Sequence, residues 1–150
     1  MIITNQNNQR NELARELLCK DFNMLEKRSL SDKETFYHNL LQKIGFQTVL
    51  KINRDNKDVI KYIGVIELGI ISYQFLIHVI QGKEEITKID LENLRSEKNP
   101  HTNKGLIITT SKVSKDAKKA KFQKDDISID IIDKTELIKR ITDLNMQVSD

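Results

Sequence analysis

Apolar residues are most concentrated between positions 64 and 83, where two apolar runs are separated by Ser72-Tyr73-Gln74. The runs are rich in Val, Ile, Tyr and Phe, which favour strands. This pattern predicts a β-hairpin whose first strand carries Glu67 and whose second strand ends at Gln81-Gly82-Lys83. Because alternate side chains of a strand share a face, Gln81 and Lys83 are expected to point the same way.

Helical spacing of apolar residues precedes this hairpin. Leucines and Phe22 recur at helical spacing between residues 11 and 25 and predict a first amphipathic helix. A second helix is expected to begin at the capping box Ser31-Asp32-Lys33-Glu34 and to end at Gly45. Residues 46–52 are typical of a strand, and residues 59–63 indicate an extra edge strand before the hairpin.

The second half of the chain alternates helices and strands. A helix is predicted over residues 88–97, followed by a continuously apolar run at residues 105–110 that is typical of a strand buried in a parallel arrangement. Ser114 is expected to cap a helix in which Phe122 packs closely, and Asp133 to cap a last helix after a strand at 127–132. The alternation predicts an α/β fold with a central mixed sheet flanked by helices.

Length and composition fit a single soluble domain. The chain has 150 residues, 38% of them hydrophobic and 31% charged, with a formal net charge of +3. We predict a helical extension over residues 1–30 and the main domain over residues 31–150. The single cysteine, Cys19, cannot form an internal disulfide, and no segment has the pattern of a membrane span or a secretory signal. A cytoplasmic location is expected.

The hairpin carries the candidate chemistry. A carboxylate at Glu67 and the side-chain oxygen of Gln81 could hold a divalent cation, while Lys83 could polarise the attacking water or neutralise charge on a phosphate. This arrangement is what metal-assisted phosphodiester hydrolysis requires. Spacing alone, however, favours a solvated strand end for Lys83.

Read together, these segments resemble the catalytic domain of the Mrr family of restriction endonucleases, a branch of the PD-(D/E)xK nucleases. The similarity extends from about Glu34 to Leu144. The motifs that carry it are a helix ending in Gly45-Phe46, a strand ending in Gln81-Gly82-Lys83, and the run Gly105-Leu106-Ile107-Ile108-Thr109-Thr110-Ser111 before a helix with alanines. An apolar strand and a Leu-rich helix follow, as in the family. The resemblance implies a restriction-endonuclease-like fold.

The resemblance also implies roles for individual residues. Gln81 would coordinate Mg²⁺ (or Mn²⁺), and Lys83 would be the catalytic ammonium group. The metal-binding Asp of the family falls on Glu67, with Asp58 as a second candidate if the extra strand changes the register. Glu34 matches a glutamate near the metal on the first helix of many relatives, although capping its own helix is an alternative.

A lysine-rich segment follows the apolar strand at residues 105–110. Clustered lysines can track phosphates, or they can simply form a solvated helix face. The hydroxyls of Thr109, Thr110 and Ser111 could contact a phosphate or satisfy the helix amides. The candidate nucleic-acid contacts are therefore Thr109, Thr110, Ser111, Lys112, Lys115, Lys118 and Lys119.

These expectations lead to three functional hypotheses. The first is a metal-dependent endonuclease that hydrolyses DNA in restriction or defence against foreign DNA, with a second copy or a separate subunit providing specificity. The second is the same fold with an impaired site, which binds nucleic acid or a protein partner without cutting. The third is a structural subunit that dimerises through its first helix.

Overall fold

A computed structural model describes residues 27–52 and 58–144. The helix predicted over residues 11–25 lies outside these ranges. The helices are α1 (Leu30–Ile44), α2 (Lys88–Ser96), α3 (Lys115–Lys119) and α4 (Lys134–Asp143). The strands are β1 (Thr48–Ile52), β2 (Val59–Leu68), β3 (Ile71–Ile80), β4 (Glu85–Ile86), β5 (Thr102–Thr109), β6 (Lys112–Val113) and β7 (Ile129–Ile132). Among the described residues, no helix is long and apolar enough to cross a membrane.

The predicted mixed sheet is confirmed. Five strands lie in the order β1-β2-β3-β5-β7, and β4 and β6 form a separate small sheet. Strands β1, β2 and β3 pair antiparallel, whereas β3, β5 and β7 pair parallel. The parallel strands are joined by connections that contain the helices, as a parallel arrangement requires.

Helices cover both faces of the sheet. On one side, called here the α1 face, helices α1 and α4 pack on a core that includes Tyr37, Tyr62 and Ile77. On the other side, the α2 face, helices α2 and α3 pack on a core that includes Ile80 and Leu94. Because successive strand residues alternate between these cores, the register decides which candidate site residues can meet.

The helix ends follow the sequence closely, with one shift. Gly45 ends α1 with a φ of 134°, as predicted, and Ser114 and Asp133 cap α3 and α4 through their side chains. The N-cap of α1 is Ser29, not Ser31, because the Ser29 hydroxyl accepts a hydrogen bond from the Asp32 amide. The predicted capping box is therefore wrong by two positions.

The hairpin is longer than predicted. Strand β2 is continuous from Val59 to Leu68, so residues 59–63 are not a separate edge strand. The chain reverses at Gly69, whose φ of 63° is a left-handed value that glycine adopts without strain. The polar residues Ser72, Tyr73 and Gln74 belong to β3, and the hairpin tip extends beyond the ends of the neighbouring strands β1 and β5.

Candidate functional site

Gln81 lies at the carboxyl end of β3 and faces α1. Its side chain is 7% exposed, and its Nε2 donates a hydrogen bond to the Tyr37 hydroxyl at 2.7 Å. Its backbone amide donates to the Asp58 carbonyl at 3.2 Å. Asp58 and Gln81 also line one cavity of about 320 Å³, next to the first turn of α1. The structure therefore brings Asp58, the second candidate for the family's aspartate, beside Gln81.

Glu67 lies elsewhere, and the prediction that it joins Gln81 is wrong. In the antiparallel register Glu67 is opposite Ser72, whereas Gln81 follows Ile80, the partner of Val59. Nine residues of strand separate these two levels, or about 30 Å. Glu67 also points away from Tyr62, which belongs to the α1-face core, because an odd number of positions separates them. Glu67 lies far from Gln81 and points away from the α1 face because β2 is continuous from Val59 to Leu68.

Lys83 does not share a face with Gln81 either. Strand β3 ends at Ile80, and Gly82 has a φ of 75°, so strand alternation stops before Lys83. The Lys83 ammonium group lies 2.6 Å from Asp90 Oδ1 on helix α2. Asp90 is buried, and its other oxygen accepts a hydrogen bond from the Thr87 amide in the capping box of α2. The lysine is thus held on the α2 face.

Glu34 faces the sheet and does not cap its own helix. Its carboxylate lies 2.8 Å from the Lys51 ammonium group on β1, and its side chain is 13% exposed. Its backbone carbonyl accepts a hydrogen bond of 2.8 Å from the Tyr62 hydroxyl. Glu34 therefore lies on the α1 face, as Gln81 does, and its carboxylate is paired with Lys51.

The family resemblance implies Mg²⁺ (or Mn²⁺) at these positions. Within residues 27–52 and 58–144, no three His, Cys, Asp or Glu side chains converge as a metal site would need. Mg²⁺ demands near-octahedral oxygen ligands, and the Glu34 carboxylate is committed to Lys51. A complete set of carboxylate ligands for Mg²⁺ is thus not formed among the described residues, whereas Asp58 and Gln81 lie beside each other.

The hydroxyl cluster at the end of β5 serves the backbone. Thr109 is buried, and its Oγ1 accepts a hydrogen bond of 3.0 Å from the Ser111 amide. The Ser111 hydroxyl donates to the Lys83 carbonyl at 2.6 Å and so ties the segment after β3 to the segment after β5. Thr110 lies between them and is partly exposed. Phosphate contact by these three residues stays a prediction.

The lysine segment is exposed. Helix α3 is shorter than predicted and ends after Lys119, so the lysines lie on one short helix and on the strand before it. In the part of the chain that the structure describes, these side chains form no ion pair within 4 Å. The exposed and uncompensated lysines are Lys112, Lys115, Lys118 and Lys119.

A polar cluster around the buried His78 on the α2 face was not predicted from the sequence. The His78 Nε2 lies 2.8 Å from Glu97 Oε2, and the other Glu97 oxygen accepts from Lys61 at 2.5 Å. Burial lowers the pKa of His78 below its ordinary value of 6.5, and the Glu97 carboxylate opposes this effect only in part. These contacts give His78 a structural role on the α2 face.

Two acidic residues are not identified by local patterns in the sequence. Asp90 is buried, which depends on how α2 packs on the sheet. Asp58 could have been preferred over Glu67, because the polar segment 53–57 immediately before a ten-residue strand marks where that strand begins.

Known proteins with the same fold support the sheet topology. The chain is similar to the solved structure of the DNA modification-dependent restriction endonuclease AspBHI, with a TM-score of 0.65 and 14% sequence identity. The similarity covers 91% of this chain but only 36% of that enzyme, and at this identity it concerns the fold alone. No curated protein sequence shows significant similarity.

The restriction-endonuclease-like fold is thus confirmed, while membership of the Mrr branch stays a prediction. A family described as NACHT-associated inactive Restriction Endonuclease 1 has a model that matches residues 34–139, which is most of the chain. The chain therefore belongs to the NACHT-associated inactive Restriction Endonuclease 1 family.

Proposed function

We propose that this domain binds nucleic acid through its exposed lysines and does not hydrolyse it. One observation carries the absence of hydrolysis: the ammonium group of Lys83, the expected catalytic lysine, pairs with Asp90 of α2 at 2.6 Å, whereas the Gln81 side chain contacts Tyr37 of α1. Catalytic groups must lie within hydrogen-bond reach of the reacting atoms, and in this arrangement Lys83 and Gln81 contact different helices.

The remaining site residues support the same proposal. Glu67 is about 30 Å from Gln81 along the hairpin, and Glu34 is paired with Lys51. The family to which the chain belongs is described as inactive. A binding module would keep the fold but would not bring the expected catalytic residues together.

The lysine segment supplies a plausible contact surface. Each lysine that neutralises a phosphate releases a counterion, so a cluster of lysines that form no ion pairs favours polyanions at low salt. Lys115, Lys118 and Lys119 lie on one short helix, and Lys112 precedes it on β6. Target choice would come from a second copy or from a separate subunit, and we expect the domain to act in the cytoplasm.

A second candidate is the metal-dependent DNA endonuclease of restriction or defence. The position of Asp58 beside Gln81 in a shared cavity favours it, since these are two of the three groups that the family resemblance requires. This function would need Lys83 to leave Asp90 and reach the α1 face.

Plasmid cleavage distinguishes the two candidates. The purified chain would be incubated with supercoiled plasmid, methylated or unmethylated, in Mg²⁺ or Mn²⁺ at low salt, beside an EDTA control. We expect no nicking in any of these conditions. Metal-dependent nicking that disappears in Asp58→Asn and in Lys83→Ala would reject the proposal and establish the endonuclease.

Binding is tested separately, in EDTA. We expect salt-sensitive binding of an oligonucleotide that weakens in the double variant Lys115→Gln and Lys118→Gln. The matched control removes two lysines that are already paired, Lys98→Gln and Lys104→Gln, whose partners are Asp126 and Asp130. Equal losses in both double variants would show that only net charge matters and that this surface is not the contact.

A further inference from the structure

We propose that Phe122 forms a stacking platform for a base of single-stranded nucleic acid, beside the lysine segment. This inference rests on the proposed nucleic-acid binding and adds the class of ligand and the point of base contact. It starts from the shape and chemistry of the surface that follows α3.

Phe122 is 72% exposed, although an aromatic residue at that position was predicted to pack in a helix. Helix α3 ends after Lys119, and Ala120 fills the buried position that the helix offers to the α2 face. The ring is therefore left in water, an unfavourable position for a large apolar side chain. Such exposure is informative where a binding surface lies next to it.

A shallow cavity of about 410 Å³ opens at the ring. It is lined by Phe122, Ala120, Gln123 and Asp116 together with Lys119 and Lys88. Lys119 belongs to the uncompensated lysine segment, while Lys88 lies 3.7 Å from Glu92 in a loose, exposed pair. The cavity thus combines an aromatic ring, a small apolar side chain, two lysines and two polar side chains that can form hydrogen bonds.

This combination fits a nucleobase better than a bare phosphate. A base offers a flat face that stacks on an aromatic ring, and its flanking phosphates can reach lysines. The Gln123 amide and the Asp116 carboxylate could pair with the polar edge of a base, whereas Asp116 would repel a phosphate placed in the cavity. In a duplex the faces of the bases are covered by their neighbours, so a single strand is the form that can use this ring.

The chain contains no tryptophan, so Phe122→Trp introduces a single fluorescent reporter. The whole chain carrying this substitution would be titrated at low salt with a thymidine oligonucleotide, with a duplex of equal length and with inorganic polyphosphate. We expect saturable quenching by the single strand and little quenching by the duplex or by polyphosphate. Ile70→Trp, at a fully exposed position of the hairpin tip, is the matched reporter and should not be quenched.

Affinities measured by an unlabelled competition assay complete the test. Phe122→Ala should weaken single-strand binding by about fivefold or more and leave polyphosphate binding unchanged, because it removes stacking and no charge. Phe122→Tyr should restore the affinity. Circular dichroism of each variant verifies the fold, which substitution of an exposed side chain should leave intact.

The possible failures are separable. If oligonucleotide binds through the lysines but Phe122→Ala has no effect, the stacking inference is wrong and the proposed function stands. If neither oligonucleotide nor polyphosphate binds, both are wrong. Binding of poly-glutamate that depends on Phe122, without oligonucleotide binding, would assign the surface to an acidic protein partner and would overturn both.

Discussion

Among single residues, Gly82 determines which side chain the expected catalytic lysine, Lys83, contacts. With a φ of 75°, it turns the chain out of the strand geometry, so Gln81 contacts Tyr37 while Lys83 contacts Asp90. Asp90 performs two tasks, since one oxygen binds Lys83 and the other binds the Thr87 amide. The lysine is thus part of the anchoring of α2.

The first prediction concerns this pair. Asp90→Ala should lower the free energy of unfolding by about 2 kcal/mol, because it removes a helix cap and a charge-assisted hydrogen bond at a buried position. The exposed pair of Lys104 and Asp130, 2.7 Å apart, provides the control: Asp130→Ala should cost less than about 0.5 kcal/mol. Urea denaturation measures both values. Similar losses would mean that Asp90 has no special role.

The second prediction concerns pH and His78. Burial lowers the pKa of His78, whereas unfolding returns it to its ordinary value of 6.5. The unfolded state therefore binds more protons as the pH falls through 6.5, and the free energy of unfolding should decrease. Above pH 6.5 the histidine is neutral in the folded and the unfolded state, so it does not change the free energy of unfolding.

Thermal unfolding between pH 7.5 and 5.5 tests the effect of His78. The groups that face His78 are Glu97, Lys61 and Asp90. Glu97 has a pKa lowered below 4.5, because the hydrogen bond from Lys61 and the charge of His78 together outweigh its burial, so its contribution is lost only below this pH range. His78→Gln should flatten the pH dependence, and the exposed His101→Gln should not. An unchanged slope in His78→Gln would contradict the assignment.

Among the helices and strands, α1 begins at a different cap from the one that its sequence predicts. Ser31 and Glu34 fit the spacing of a capping box, but Glu34 is drawn to Lys51 on β1. The helix begins two residues earlier, where Ser29 binds the Asp32 amide. A tertiary ion pair thus competes with a local motif, and this competition cannot be seen in local sequence.

The third prediction follows from this shift. Ser29→Ala should lower the free energy of unfolding by about 1 kcal/mol, the usual cost of an N-cap. Ser31→Ala should be neutral or slightly stabilising, because alanine is the better residue inside a helix. Chemical denaturation of the two variants gives a direct comparison. A larger loss in Ser31→Ala would restore the capping box.

The boundaries of the β2–β3 hairpin also could not be predicted from local sequence alone. The apolar pattern correctly indicated two strands, yet its polar interruption at Ser72, Tyr73 and Gln74 is exposed strand and not a boundary. The reversal occurs at Gly69, and strand β2 reaches back to Val59. This register moved Asp58 to the position where Glu67 was expected.

In the molecule as a whole, the central sheet separates the acidic and amide residues of the expected metal site from the lysine segment and Phe122. The α1 face carries Asp58, Gln81 and Glu34, three residues for which the family resemblance implies a place in a metal site. The α2 side carries Lys83 in its ion pair, and the exposed lysines and Phe122 lie in and around α3, which packs on that side. The proposed binding surface and the expected metal-site residues therefore belong to different parts of the surface.

The fourth prediction concerns this binding surface as a unit. If four lysines neutralise phosphates of a single strand, the logarithm of the binding constant should fall with the logarithm of salt with a slope of about −3. Lys115→Gln with Lys118→Gln should reduce the slope to about −1.5, and Lys98→Gln with Lys104→Gln should leave it unchanged. Filter binding or anisotropy at several salt concentrations measures these slopes. A slope near zero for the unmodified chain would exclude an electrostatic contact.

The sequence by itself determined the class of fold, because the periods of apolar residues in the parallel strands and in α1 and α4 depend only on local geometry and burial. It also determined the caps at Ser114, Asp133 and Gly45, where the partner atoms are local. The identity of the acidic residue beside Gln81, the partner of Lys83 and the exposure of Phe122 follow from tertiary packing. They depend on strand register, on an ion pair between two elements and on where a short helix ends, and none of these leaves a periodic signal in the chain.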